Sequence, residues 1–414
     1  MKKKLIFKSS LYLFMLFGLL FLNSCEKDSA PLDQPIYSNQ VNFQVAYDEA
    51  FENSVYPSLI LGLANYSARS GESFDLFKYS MVNPTEHTEV KVELQPSLIN
   101  NESAFHAHLD TVDKERAFSP MINWNYENLK SLKQPGTVDL SFACYINGEE
   151  TDNKSLRLNY RSVNECVYGF IDDDGNYIDL GWMFAAYVNE NNPAIDNFLQ
   201  EALYHHVVDA FTGYQVSKEE VMKQVFAIWN TLQLRNVKYS SITATSNPSQ
   251  KVFSQYVRSF DEVYQNSQAN CVDGSVFLAS VLMKIDIKPF LVLIPGHMYM
   301  GFYTSEDKTD FELLETTMVG DINLNEIYEA NGLVYNLNKY LGYLSLDTYN
   351  RYLNGYATLE DLKKEISYNS FLKAINQNIS SWNYNRAAFN NPENKQYQIF
   401  DISELRKIVQ PIGI

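Results

Sequence analysis

"QNSQANCVDGSVFLASVL" (residues 265–282) decides how this chain is read. A polar run ends at Asn270. Apolar residues then recur at Val272, Val276, Phe277, Leu278, Val281, Leu282 and Ile285, the spacing of a buried helix. Cys271 therefore falls at or next to the N-terminus of that helix. Free backbone N–H groups and the positive end of the dipole favour thiolate over thiol there. The same groups can stabilise an oxyanion. A cysteine at this junction can also be a buried filler, so its surroundings have to decide.

The following segment is "KPFLVLIPGHMYMGFYTSEDKTDFELLETT" (288–317). "FLVLI" reads as a buried strand, Pro295-Gly296 as a break, and His297 opens a second strand, "HMYMGFY". A polar excursion leads to a third strand, "FELLETT". Helix and three strands in that order form an α+β layer. A cysteine on the helix can then face a histidine on one strand and an acid on the next, the arrangement of thiol acyl chemistry. On the third strand Glu315 shares a face with Phe311 and Leu313, and Glu312 points the other way.

Residues 185–320 closely resemble a transglutaminase-like module, related to papain-type thiol enzymes. The likeness rests on "AAYVNENNPAI", "GYQVSKEEVMKQVFAIWNTLQ", "VKYSS", "SQYVRSFDEV", "NCVDGSVFLASVL", "PFLVLIPGHMYMGFY" and "LLETT". It is nearest to a subgroup with an N-terminal β-sandwich found in bacterial multidomain proteins and lipoproteins. The resemblance implies Cys271 as nucleophile, His297 as general base and Glu315 as third member, where the superfamily often has Asp. It places Gln255, in "SQYVR", beside the oxyanion. Arg258 and Asp273 match motif positions too and read as structural, Asp273 because a carboxylate is favourable in a helix first turn.

The N-terminus has a separate purpose. "MKKKLIFKSSLYLFMLFGLLFLNSC" has a lysine-rich start, an apolar run and small polar residues before Cys25, which is the pattern of a secretory signal. The run Leu11–Leu22 is short for a membrane span. "LFLNSC" resembles a bacterial lipobox, which implies cleavage before Cys25 and a lipid on that cysteine. "EKDS" resembles the acidic tether of surface-exposed lipoproteins, and 26–39 read as a flexible leash. Beyond residue 24 the chain has 29 basic against 50 acidic residues, a formal charge of −21. Such a chain, with no basic block, argues against nucleic acid and anionic membrane surfaces as partners.

Residues 40 to about 165 read as β. "VNFQV" and "EVKVEL" alternate with period two, and "PSLILGLANYS", "FDLFKYSMV" and "GTVDLSFACYING" are strand-like runs bounded by turn residues. His106 and His108 in "FHAHLD" lie on one strand face, a pair without a third ligand nearby and so read as surface polar residues. "FIDDDGNYIDL" fails as a calcium loop, because Phe170 stands where the first acid belongs, and reads as a hairpin turning at Asp174-Gly175. Cys144 reads as a core thiol, and spacing leaves a Cys144–Cys166 disulfide open. The texture becomes helical after about 185. Asn192-Pro193 opens a helix through about Phe211 with His205 and His206 inside it. Ser217 and Glu220, at capping-box spacing, open another.

The expected fold class is α+β: an Ig-like β-sandwich (40–165), a transglutaminase-like, papain-like α+β domain (166–320) and a helical C-terminal extension (321–414), behind a signal peptide (1–24) and lipidated tether (25–39). The expected function is that of a lipid-anchored envelope protein in the outer membrane, with a surface-exposed position in view. It would hydrolyse an amide or isopeptide bond of a peptide or protein, cell-wall peptide among the candidates, without cofactor or metal. The alternative is a non-catalytic module that binds protein or glycan on the same fold. Hydrolysis is favoured over amine transfer because bulk water competes for the acyl group and no amine pocket is evident.

Overall fold

The computed structural model describes residues 42–413 apart from 71–74, 83–86, 113 and 242–248. The signal segment, Cys25 and the tether lie outside the described residues. Among the described residues no helix is long and apolar enough to cross a membrane.

The chain is a mixed α+β protein. Its first half holds strands β1 (Asn42–Tyr47), β2 (Ser54–Val55), β3 (Phe77–Val82), β4 (Thr88–Leu94), β5 (Ser103–Leu109), β6 (Glu115–Phe118), β7 (Gly136–Ile146) and β8 (Glu149–Tyr160), with helices α1 (Pro57–Ser70) and α2 (Tyr126–Ser131). They form a three-stranded sheet, β1-β3-β6, and a five-stranded sheet, β2-β8-β7-β4-β5. Period-two patterning sets which face is inside: Val90, Val92 and Leu94 of β4 are all buried. The inner faces meet through aromatic rings. Phe142 of β7 lies 6.2 Å from Phe77 and 5.9 Å from Tyr79 of β3. Edge-to-face geometry at the second contact suits the ring quadrupoles.

"PSLILGLANYS", expected to be a strand, is instead helix α1. Pro57 stands at its first position, where a missing N–H costs nothing. Residues 57–63 are all buried, so the first two turns have no solvent face and no readable amphipathic period. The helix is wedged between the halves of the chain. A Cβ on Gly62 would come within 2.5 Å of Met183 Sδ, so a larger residue there would push the Met183 side chain aside.

The second half begins with β9 (Glu165–Ile171), which turns through Gly175 (φ +83°) into β10 (Tyr177–Asp179), the expected hairpin. Helix α3 (Ala194–Tyr204) is capped by Asn192, whose side-chain oxygen accepts from Ala194 N–H. It stops short of Phe211. His205 is its C-cap and His206 has φ +51°, so neither histidine sits inside the helix. Helix α4 (Lys218–Leu234) starts at Ser217, which accepts from Glu220 N–H. Then come β11 (Lys238–Tyr239), β12 (Val252–Tyr256), α5 (Phe260–Asn266), β13 (Gln268–Ala269) and α6 (Cys271–Lys284). Helix α6 packs on α5 through Phe277 and Phe260, stacked at 4.2 Å with 6° between planes. Burying one such ring is worth about 1.5–3 kcal/mol.

Strands β14 (Pro289–Ile294), β15 (His297–Tyr303) and β16 (Phe311–Leu314) form an antiparallel sheet beside α6. The C-terminal region holds β17 (Tyr328–Ala330), β18 (Leu333–Tyr335), α7 (Leu346–Leu353), α8 (Leu359–Gln377), α9 (Ile379–Tyr384), α10 (Arg386–Phe389), β19 (Gln398–Asp401) and α11 (Ile402–Leu405). It is not purely helical: β19 pairs with β14 and extends the sheet to β16-β15-β14-β19. Arg406 then clamps the tail to residues 185–190 through paired bonds of 2.7 Å to Glu190. Buried apolar residues of both halves form one contiguous core. Cys144 on β7 and Cys166 on β9 are both buried free thiols, which closes the disulfide question.

Candidate active site

Cys271 is the first residue of α6 because Asn270 and Asp273 fix the helix start. Asn270 Oδ1 accepts from the N–H groups of Val272 and Asp273, each at 2.9 Å. Asp273 reaches back to accept from Asn270 N–H at 2.9 Å, completing a reciprocal cap. The same carboxylate accepts from Arg258 N–H at 2.8 Å and from Arg258 Nη1 at 2.6 Å. The fully buried Asp273 thus ties the cysteine-bearing turn to the segment after β12. Both were read as structural, and their contacts are of that kind.

His297 opens β15, directly after the Pro295-Gly296 turn, where Gly296 takes φ +73°. Its Nε2 bonds Glu315 Oε2 at 2.9 Å, which leaves Nδ1 for the thiol. The Cys271 thiol lies close enough to the ring to act on its titration. Cys271 first, and then the bond to Glu315, push the His297 pKa from 6.5 up to about 10, against the opposing effect of burial.

Glu315 does not lie within the third strand. Strand β16 ends at Leu314, and Glu315 caps a 3-10 turn over Thr316–Asp321. Phe311 and Leu313 are buried on one face of β16. Glu312 is drawn to Lys218 Nζ at 3.3 Å, away from the site. Burial works to raise the Glu315 pKa, but hydrogen bonds from His297, Thr317 and Asn378 outweigh it and hold the carboxyl below its ordinary value. Thr317 donates both its hydroxyl (2.6 Å) and its N–H (3.1 Å) to Oε1. Asn378 Nδ2 donates to Oε2 at 2.9 Å. The strand end and the helix start lie close together. A Cβ on Gly274 would come within 3.1 Å of Thr316 Oγ1, and that hydroxyl bonds the Cys271 carbonyl at 3.3 Å.

Three of the residues singled out in the sequence therefore converge: thiol, imidazole, carboxylate. Gln255 does not join them by any hydrogen bond among the described residues. It sits on β12, and its amide nitrogen donates to the Tyr256 carbonyl at 2.9 Å. The helix N–H groups are largely committed as well. Those of Val272 and Asp273 go to Asn270 Oδ1 and that of Gly274 to the Asn270 carbonyl. Among the described bonds the N–H of Cys271 itself has no acceptor, so it is the backbone donor open to an oxyanion.

Sequence reasoning missed Asn378, Thr317 and Tyr239. Thr317 is close to Glu315 in the chain and could have been suspected. Asn378 is 63 positions away, in a region read as packing only, and carries no local signal. Tyr239 on β11 is half exposed. Burial raises its phenol pKa first, and the charges of Cys271 and Glu315 add to that. The C-terminal region buttresses the carboxylate and does not close over the thiol. Glu315 N–H donates to the Ala374 carbonyl at 3.1 Å, while Cys271 stays partly exposed.

No protein-family model matches the chain, and no curated protein matches it.

Proposed function

We propose that the chain is a cysteine-dependent amide hydrolase of transglutaminase-like, papain-like architecture, carried on an Ig-like β-sandwich and held at the cell envelope by lipid on Cys25. The observation that carries this reading is the 2.9 Å bond from His297 to buried Glu315, with Cys271 near enough to help push the His297 pKa up to about 10. A merely structural histidine needs neither a thiol on one side nor a buried, threefold-bonded carboxylate on the other.

In the proposed reaction Cys271 Sγ, its proton passed to His297, attacks the carbonyl carbon of an amide or isopeptide bond. The carbonyl oxygen takes the electron pair and is held by the Cys271 N–H. Gln255 is the side-chain candidate for a second donor, after its amide turns from the Tyr256 carbonyl. When the tetrahedral centre collapses, the C–N bond breaks and His297 gives its proton to the departing amine. Glu315 keeps Nε2–H oriented and stabilises the imidazolium throughout. Water, its proton taken by His297, then attacks the thioester and frees the acid and the thiol. Cys271 and His297 are partly exposed to water, which supports hydrolysis over amine transfer. Peptide or protein amides, cell-wall peptides included, are the substrate class.

The test is a thiol-directed electrophile together with a panel of peptide and cell-wall amide substrates. Labelling at Cys271 and turnover abolished by Cys271→Ala are expected. An unlabelled Cys271 and no turnover would leave a binding module on the same fold. Anchoring is tested separately: Cys25→Ser should release the mature protein from membranes, and detergent-sensitive membrane binding that persists would overturn the lipid assignment.

A further inference from the structure

We propose that His87, His108 and Asp110 form a divalent transition-metal site on the edge of the five-stranded sheet, and that Zn2+ is the ion it fits. The site is independent of the thiol chemistry.

The backbone brings the three side chains together. Strands β4 and β5 are antiparallel, with Thr88 opposite Leu109 and Glu89 opposite His108. One step beyond the ladder, His87 comes opposite Asp110. His108 lies two positions before Asp110, on the same face of the strand. Leu109 between them is buried, so its neighbours on either side are committed to the outer face. Strand β5 is an edge strand, which leaves room for water on an ion.

The distances agree with that placement. Asp110 Oδ1 receives His87 Nδ1 at 3.2 Å and His108 Nε2 at 2.9 Å. The three ligand atoms all lie within 4.8 Å of one another. Zinc bonds to nitrogen and oxygen are about 2.0–2.1 Å, so tetrahedral ligand atoms stand about 3.3 Å apart. Two edges of the triangle, 3.2 and 2.9 Å, are near that length, and the third closes by side-chain rotation at an exposed surface. Two imidazoles and one carboxylate are a borderline donor set. It suits Zn2+ or its transition-metal neighbours over Ca2+ and Mg2+, which prefer oxygen alone. Three protein ligands leave a fourth position for water or for a donor from a partner. The two histidines "FHAHLD" displays together are not both ligands: His106 stands opposite Lys91, and the second imidazole comes from the neighbouring strand.

The experiment is a Zn2+ titration of the full-length chain carrying Cys271→Ala, so that the catalytic thiol cannot compete. One equivalent should bind with micromolar affinity. His87→Ala and His108→Ala should each weaken it by at least the roughly 10–100-fold that losing a mere outer-shell partner costs, and His106→Ala should leave it unchanged. All three positions are exposed, so the variants should keep the parent's melting temperature without metal. No saturable binding below about 100 μM, an affinity too weak for an assembled three-ligand site, would overturn the proposal. Undiminished binding in the double variant His87→Ala/His108→Ala would do the same.

Discussion

Replacing Glu315 by Gln keeps the shape of the side chain and removes its charge. In the native protein the His297 pKa stands at about 10 against 6.5 for the free side chain. At about 1.36 kcal/mol per pKa unit, that difference is worth roughly 5 kcal/mol, shared between the Cys271 and Glu315 partners. A hydrogen bond to a charged group contributes about 1.5–3 kcal/mol, so losing the carboxylate charge should bring the His297 value down to roughly 8–9. The folded value lies above the free one. The stabilisation is therefore complete below pH 6.5 and drains away as pH rises toward about 10. In the variant that decline should end sooner and be smaller. The assay is the pH dependence of the His297 ring-carbon NMR signal, with urea melts at pH 6 and pH 9 as the thermodynamic check. A value that stays near 10 would mean that Glu315 does not hold the imidazolium, and the carboxylate's role in the site would have to be abandoned.

Asn378→Ala removes a donor from buried Glu315 Oε2; one lost bond to a charge, about 1.5 kcal/mol, should lower kcat about tenfold with KM unchanged. An unaltered kcat would show that the C-terminal region does not position the acid. Asp273→Ala removes the buried carboxylate that pairs with Arg258 and one arm of the α6 cap; chemical denaturation should register a loss of about 3–5 kcal/mol, and a loss under about 1 kcal/mol would contradict the anchoring role. Burial pushes the Cys144 thiol up to about 11 and raises Cys166 as well. Iodoacetamide under native conditions should therefore modify Cys271 and spare both until the chain is unfolded, as peptide mapping can establish.

Much of the site was legible because its determinants are local. The start of α6 is written in Asn270, Cys271 and Asp273, three adjacent positions whose capping geometry depends on almost nothing else. The strand pair around Pro295-Gly296 follows from apolar runs broken by a turn. Helix α1 was misread for the opposite reason. Its apolar residues are buried all round by contacts from both halves of the chain, so the period that betrays a surface helix is missing. The helix expected to run through Phe211 ends at Tyr204, where His205 caps it and His206 enters the left-handed region. No glycine or proline announces that stop.

The sequence by itself therefore singled out Cys271, His297 and Glu315 and where each falls, since helix start, strand start and strand end are set by short-range patterning. Only the tertiary structure decided how those groups are held. Glu315 accepts a bond from Asn378 in a helix connection 63 positions away, and β19 reaches the sheet from the end of the chain. It also turned Gln255 toward Tyr256 and joined His108 to a histidine on the neighbouring strand. Hydrogen bonds and strand register between distant segments depend on how the layers dock, and docking is a property of the assembled core that no local window of residues contains.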